Sequence, residues 1–374
     1  MIRNLAIQNV RSLANLEYEF LPGINVFSGA NGCGKTTVLE SIYLLSQGFS
    51  FRAKDLKEMI CWHADGLILR GDFTCGESSF SRAVGVDRNK ISAKENSEAL
   101  RSPAVFFGKC PAVIMQPSDI ELLRGAPEVR RHWLDEILCY RSPANAALLR
   151  HYKRVLQQRN QWLKQYKRDG APTGGEDLFQ VLTAQLVDLG AKLWLARLNL
   201  SCEISPVITD YYRKLSGGVD AITCDYKSSI LKEDGLADFG DTGIVPDEEI
   251  LRKTFASKLA GLELVEKLQG LTMAGPHKDD LALCASGYEM RSVGSQGQCR
   301  SAAIAMRFAA VDVASHYVGK PILLLDDIFA ELDVNRRDAV AALIREKDCQ
   351  VFIATPQAEE LPFTADKHFS LGTF

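Results

Sequence analysis

The chain has 374 residues, 46% of them hydrophobic, and a formal net charge of −3. Length and apolar content support a sizeable core in two or three structural units, and no run of about 18 apolar residues is present to span a membrane as a helix. The mild negative charge excludes a global nucleic-acid signal, so any DNA contact needs a local basic surface.

The opening stretch MIRNLAIQNVRSL carries charge throughout and lacks the apolar block and cleavage site of a signal peptide. A cytoplasmic location is therefore expected. IRNLAIQNV and NLEYEF alternate as strands do, and INVFSG is an apolar strand ending in glycine. TTVLESIYLLSQG has helical spacing and stops at Gly48, a C-cap residue. GLILRGDFT and SFSRAVGVD read as further strands. From about residue 119 helical patterns dominate. Leu149, Tyr152, Leu156, Leu163 and Tyr166 step by threes and fours with Arg159 in the skipped place, a coiled-coil-like seam. RDGAPTGGED breaks it, and a second apolar helix runs from near Leu178 past Leu198. These two make an antiparallel arm. The acidic, glycine-rich KEDGLADFGDTGIVPDEE reads as a mobile loop, and EEILRKTFASKLAGLELVEKLQG as one more helix. From about 270 the α/β pattern returns with KPILLLDDIF, a strand buried on both faces, and DCQVFIATP. Ten cysteines include no Cys-x-x-Cys pair and none at zinc-ligand spacing to a histidine, so neither a disulfide framework nor a zinc site is expected.

GANGCGKT at 29–36 fits Gly-x4-Gly-Lys-Thr after a strand and at the opening of a helix, the context that marks a phosphate loop. Gly29, Gly32 and Gly34 let the backbone turn tightly. With Ala30, Asn31, Cys33 and Thr37 they form a cradle of inward N–H groups at a helix N-terminus. Lys35 is expected to reach the β- and γ-phosphates of a bound nucleotide, and the Thr36 hydroxyl to ligate Mg²⁺. The motif alone does not choose among kinases, GTPases and ATPases.

ILLLDDIFAELD supplies the acidic partner. Asp326 ends a hydrophobic strand, where a carboxylate holds Mg²⁺ through water. Asp327 follows it, is expected on the opposite strand face, and can orient or deprotonate an attacking water. The trailing ELD at 331–333 resembles the D-loop of ABC-type ATPases. In that class one subunit's phosphate loop holds ATP and the partner's signature motif closes on the γ-phosphate, which explains a second phosphate element at GSQGQCRSAAIAM. There Ser295 can donate to the γ-phosphate, Gly297 permits close approach, and Gln296 and Gln298 add amide donors. A C2 dimer trapping two nucleotides follows. LSGG at 215–218 matches the commoner signature by letter, but it lacks the following glutamine and reads as a helix ending in a glycine cap.

Together the split head, SQGQ and LDD…ELD resemble the RecF family of bacterial recombination-mediator ATPases. The likeness runs nearly end to end through NVRS, SFR, GAPEVRRHWLD, QQRN, AGPHKDDL and SQGQCR. It implies an α/β fold: an ABC-type, SMC-like P-loop ATPase head at 1–118 and 269–374, split by a mainly helical arm at 119–268. It also implies ATP-dependent dimerisation on DNA and loading of RecA at single-stranded gaps, with RecR and RecO as partners. By the same resemblance Arg11 contacts the adenine side of ATP, and Gln116 serves as the Q-loop residue on the metal. Departures are Lys278 where the family often has Arg, and Cys299 in place of the usual glutamine after SQGQ. No histidine follows the D-loop strand, so Thr355 or Gln357 has to act as the switch. Asp327 stands where wider ABC ATPases have Glu, which predicts slow hydrolysis.

Between 141 and 169 eight Lys or Arg face one acid, Asp169. Arg150, Lys153, Arg154, Arg159 and Lys164 are the candidate DNA contacts, sequence-independent and salt-sensitive. Arg130 and Arg131 line either an inter-domain or a DNA-facing surface. The competing classes are a small-molecule P-loop kinase, which predicts a lid and no SQGQ…ELD pair, and a non-hydrolysing nucleotide-binding scaffold, which would tolerate loss of Lys35.

Overall fold

The computed structural model describes residues 1–170, 175–218, 221–228, 230 and 245–372. Two compact units emerge. One comprises Met1–Asp119, Lys214–Gly217 and Ala303–Phe374, the other Ile120–Arg213 and Gly218–Ala302.

The first unit contains two sheets. A six-stranded antiparallel sheet has the order β2-β1-β4-β5-β6-β7: β1 Ile2–Val10, β2 Leu13–Glu19, β4 Gly66–Cys75, β5 Ser78–Asp87, β6 Ile91–Glu95 and β7 Glu98–Leu100. A five-stranded parallel sheet has the order β14-β3-β13-β12-β8: β3 Ile24–Ser28, β8 Ala112–Met115, β12 Ile322–Asp326, β13 Gln350–Thr355 and β14 Lys367–Ser370. Strands β8, β12 and β13 are buried at almost every position, as expected where both sheet faces are covered.

Helix α1, Lys35–Gln47, is buried along nearly its whole length. Its Val38, Leu39, Ile42 and Leu45 share one core with Ile7, Leu69 and Phe73 of the antiparallel sheet and Leu324 and Phe352 of the parallel one. Its buried polar residues are hydrogen-bonded within the core, as with Ser41 to the Thr37 carbonyl and Gln47 to the Ala112 carbonyl. Gly48 ends it in the left-handed region at φ 82°, as the sequence predicts.

Register then fixes the site. Asp326 pairs with Ala354 across β12–β13, and Thr355 with Ser28 across β13–β3. The carboxyl ends of three strands therefore align, and β13 separates the strand that launches the phosphate loop from the one that ends in Asp326. Ligands of open parallel sheets bind at such an edge.

The second unit is built on α2 Pro127–Arg141, α3 Pro143–Asp169, α4 Gly175–Leu215 and α5 Glu248–Gln269. Trp162 of α3 stacks on Phe179 of α4 with ring centroids 4.4 Å apart, as an antiparallel pair requires. The α3 seam differs in detail from the predicted one. Leu149, Tyr152, Val155, Arg159, Trp162 and Leu163 are buried, whereas Leu156 and Tyr166 are half-buried. The segment expected to be helical also contains β9, Ile222–Lys227, which pairs with β10, Asp280–Ala285, and through it with β11, Tyr288–Glu289. The acidic stretch 232–249 lies largely outside the described residues, and α5 begins inside its end. Helix α6, Gln296–Tyr317, runs through the division at Ala302 and Ala303; α7 spans Val334–Glu346.

A buried polar knot ties the second unit. Arg197 donates to Asp135 at 2.9 Å and to the Pro276 carbonyl at 2.7 Å. Asp279 accepts from the Trp194 indole and from Tyr226 at 2.7 Å. Burial pushes the Asp279 carboxyl up to about 6 against those donors, and lowers His277 to about 4. His277 shares a 2.7 Å hydrogen bond with the Tyr152 hydroxyl. The stretch AGPHKDDL is thus anchored by its His and both Asp residues, while Lys278 stays exposed. Among the described residues no helix is long and apolar enough to cross a membrane.

Candidate functional site

The loop between β3 and α1 has the predicted phosphate-cradling geometry. Gly29 has φ 148°, and a Cβ there would meet the Leu371 carbonyl oxygen at 2.3 Å; Gly34, at φ 98°, would meet Leu13 at 2.5 Å. Only glycine satisfies both limits. Lys35 is 8% exposed. Its ammonium donates to the carbonyls of Gly29 at 2.7 Å and Ala30 at 3.0 Å, which arches the lysine back over the loop. Thr36 donates its hydroxyl to Asp326, 2.8 and 3.0 Å from the two carboxylate oxygens. The loop and the acidic strand end therefore meet through one side-chain pair.

Asp327 departs from the sequence expectation. Strand alternation puts it on the face opposite Asp326, yet its φ is 51°, beyond the strand end, and its N–H donates to Ala354 at 2.9 Å. That left-handed turn re-aims the side chain, so Asp326 and Asp327 line the same cavity. Asp327 Oδ1 is buried without a hydrogen-bond partner. Its carboxyl is raised by burial, with Lys35 opposing and Glu331 adding to the rise. Asp326 is likewise raised by burial, opposed by the Thr36 hydroxyl and reinforced by Asp327. A partnerless buried carboxylate oxygen beside a threonine hydroxyl and a second carboxylate is a donor set that suits a hard cation and a water. The residues present fit Mg²⁺.

The cavity encloses about 650 Å³ and is lined by Asn31, Gly32, Gly34, Lys35, Thr36 and Thr37, with Arg11, Arg52, Glu58, Ile60, Trp62 and Pro117. Arg11 is at its edge and forks onto the fully buried Glu40 at 2.8 and 2.9 Å. Its guanidinium is held above its usual range chiefly by that hydrogen-bonded carboxylate. Sequence reasoning missed Arg52, Glu58 and Trp62, which follow α1 in an irregular segment with no periodic signal. Gln116 follows β8, and its N–H donates to Asp119 at 2.9 Å; Asp119 pairs in turn with Arg307 at 2.7 Å. Its neighbour Pro117, not Gln116, lines the cavity. Thr355 and Gln357 hydrogen-bond to each other and line no part of it.

Ser295 and Gln298 form a reciprocal cap at the start of α6. The Gln298 N–H donates to Ser295 Oγ at 3.2 Å, and the Ser295 N–H donates to Gln298 Oε1 at 2.9 Å. This is a capping box with Gln at its third position, a signal present in the sequence as S-x-x-Q. Ser295 and Gln296 are exposed, Gly297 and Gln298 half-buried. Behind them the buried Cys299 fills the space under the cap, its thiol against the Met290 carbonyl. LSGG at 215–218 is a helix stop: Gly217 and Gly218 have φ of 73° and 85°, and the Gly218 N–H returns to the Arg213 carbonyl. Asp333 of ELD caps α7 through the Arg336 N–H at 3.0 Å.

The arm corrects one candidate DNA contact. Arg150, Lys153, Arg154 and Lys164 are exposed on α3, but Arg159 is fully buried. Its guanidinium pairs with Glu266 at 2.7 Å, donates to Thr272 at 2.8 Å and Thr183 at 3.0 Å, and lies 4.7 Å over the Phe179 ring. At 0% exposure this guanidinium is out of reach of a nucleic-acid phosphate. Arg130 is withdrawn likewise from a DNA-facing surface: it is 3% exposed and forks onto Asp280 at 2.7 and 2.9 Å. Arg131 donates to the Asp279 carbonyl.

Comparison with known proteins agrees with this geometry. The family profile RecF/RecN/SMC N terminal domain matches residues 1–371. The DNA replication and repair protein RecF of Geobacter metallireducens is 32% identical over 380 residues, covering 100% of this chain and 98% of that protein. The protein of the same name from Heliobacterium modesticaldum is 35% identical over 358 residues, covering 95% and 92%. A solved structure described as the recombination mediator protein RecF-ATP in the RecFOR pathway superposes with a TM-score of 0.87 at 27% identity, over 99% of this chain and 95% of that one. An SMC head bound to the C-winged helix domain of ScpA matches at 0.54 and 16% identity over 99% and 93%, a likeness of fold alone. By its full-length relatives, its fold and its matched profile, the chain belongs to the RecF family of ABC-type ATPases.

Proposed function

We propose that this chain is an ATP-gated DNA-binding protein of recombinational repair and replication restart in the cytoplasm, dimerising on ATP and helping to load RecA at single-stranded gaps with RecR and RecO. In this reading residues 1–118 and 269–374 act as the ATPase head and 119–268 as the arm. The observation that carries it is the Thr36–Asp326 hydrogen bond, with Asp327 Oδ1 buried and unpartnered beside it, at the mouth of the phosphate loop.

Lys35 leaves its loop carbonyls to neutralise the β- and γ-phosphates, and the N–H groups of residues 29–37 hold the rest. Thr36 and Asp326 are the residues that would hold Mg²⁺. The ion, when bound, would neutralise charge on the phosphates. Asp327 orients the attacking water and takes its proton. Its carboxylate is one methylene shorter than a glutamate and reaches the water less well, so turnover is slow, and ATP times release and does not drive motion. Arg11 serves the nucleoside side. Ser295 through Gln298 of a second copy close on the γ-phosphate, with the Ser295 hydroxyl and the α6 N-terminus aimed at the anion. DNA enters through the exposed cations of α3.

Chromatography with light scattering in the presence of ATP and gapped DNA tests this. Wild-type protein shifts to a dimer with ATP; Lys35→Arg and Ser295→Arg do not. A small-molecule kinase would be indifferent to Ser295, and a non-hydrolysing scaffold would be indifferent to Lys35.

A further inference from the structure

Trp62 is 86% exposed, whereas Trp133, Trp162 and Trp194 are each at least 95% buried. An indole left in water is unusual, and this one lines the nucleotide cavity. The backbone places it. The Ala64 N–H donates to the Cys61 carbonyl at 3.1 Å, closing a four-residue turn with Trp62 and His63 at its centre. His63 sits at φ 71°, where a non-glycine residue is strained. The segment before the turn is stitched to the end of β1: Cys61 N–H to Asn9 O at 2.9 Å, Arg11 N–H to Met59 O at 2.7 Å, and a bridge between Val10 and Ile60. The ring is thus presented on a pinned turn and is not packed away. The cavity lining combines several chemistries: the phosphate loop, Asp326 and Asp327 supply anion- and cation-binding groups, Arg11, Arg52 and Glu58 add charge, and Trp62 is its one aromatic residue among the described residues.

We propose that Trp62 is the stacking platform for the nucleobase of the nucleotide whose phosphates occupy the 29–36 loop. This deepens the ATP reading of the same cavity and rests on it. A planar base gains from an indole face whatever its hydrogen-bonding edge, so Trp62 contributes alike to ATP and GTP and nothing to inorganic triphosphate.

The test is calorimetric titration of the full chain with ATP, GTP and inorganic triphosphate, using Trp62→Ala and Trp62→Phe, with thermal melts to confirm folding. Because the ring is exposed, both variants keep the wild-type melt. Trp62→Ala weakens ATP and GTP about 5- to 100-fold and leaves triphosphate unchanged, while Trp62→Phe restores most of the loss. ATP also quenches the emission of the exposed indole in the wild type and not in Trp62→Phe. Equal ATP affinity in wild type and Trp62→Ala overturns the stacking assignment alone; a folded wild type that binds no ATP overturns the nucleotide reading beneath it. A loss shared equally by triphosphate also overturns the assignment, because it places Trp62 in the shape of the loop and not against the base.

Discussion

Arg159 and Glu266 form an ion pair 2.7 Å apart in which neither side chain is more than 1% exposed. Removing one partner strands a charge in the helical core. Arg159→Ala is expected to destabilise the second unit by about 3–5 kcal/mol. Urea unfolding measures it, and a loss under about 1 kcal/mol would sink the structural assignment.

Arg150, Lys153 and Arg154 carry no such burden. Replacing all three with alanine should leave the unfolding midpoint nearly unchanged while weakening DNA binding. The slope of log affinity against log salt should fall by about one unit for each DNA phosphate that is no longer neutralised. Binding titrations from low to moderate salt decide this, and an unaltered slope would remove α3 from the DNA surface.

Ser295 combines a helix cap with a proposed phosphate contact, and substitution can separate the two. Aspartate is as good an N-cap as serine but repels a phosphate. Ser295→Asp should keep the thermal midpoint and abolish ATP-dependent dimerisation, whereas Ser295→Ala should cost about 1 kcal/mol of stability. A Ser295→Asp protein that dimerises normally on ATP would place the signature away from the nucleotide.

For Asp327 the carboxylate form does the work. Burial raises its pKa. Hydrolysis should therefore fade as pH drops, at a pH above that of an ordinary carboxylate. Asp327→Asn should still dimerise on ATP but hydrolyse it about 10²–10⁴-fold more slowly. Phosphate release across a pH series reads both effects, and a pH-independent rate in the wild type would exclude Asp327 as the base.

His277 and Asp279 give opposite pH slopes to stability. His277, held down to about 4, binds its proton more weakly folded than unfolded, so its contribution is present above about 6.5 and is lost as pH falls through 4. Asp279, pushed up to about 6, binds its proton more tightly folded, so its contribution is present below about 3.9 and is lost as pH rises through 6. Between about pH 4 and 6 the two offset each other. Asp279→Asn should make stability rise with pH in that window and His277→Gln should make it fall; denaturant midpoints with parallel slopes would refute the pairing.

What the sequence by itself determined is local in origin. The Gly-x4-Gly-Lys-Thr loop, the Gly48 stop, the apolar β12 and β13, and the arm helices follow from backbone limits and periodicity acting over a few residues. The Ser295–Gln298 cap is legible too, since S-x-x-Q ahead of an apolar run signals a helix N-cap as well as a phosphate contact. Tertiary structure alone decided the rest. Periodicity gives the angle at which Arg159 leaves α3, but not that Glu266, 107 residues later, closes over it. Strand alternation mispredicts Asp327 because the chain turns left-handed one residue after β12 ends. Trp62 faces the cavity through hydrogen bonds that tie Cys61 to Asn9 and Met59 to Arg11, about 50 positions upstream. For Arg159 and Trp62 the deciding contact lies far away in sequence, and at Asp327 it is a backbone turn that strand alternation does not encode. A pattern read along the chain can say which groups need a partner, and only the folded chain supplies which one they get.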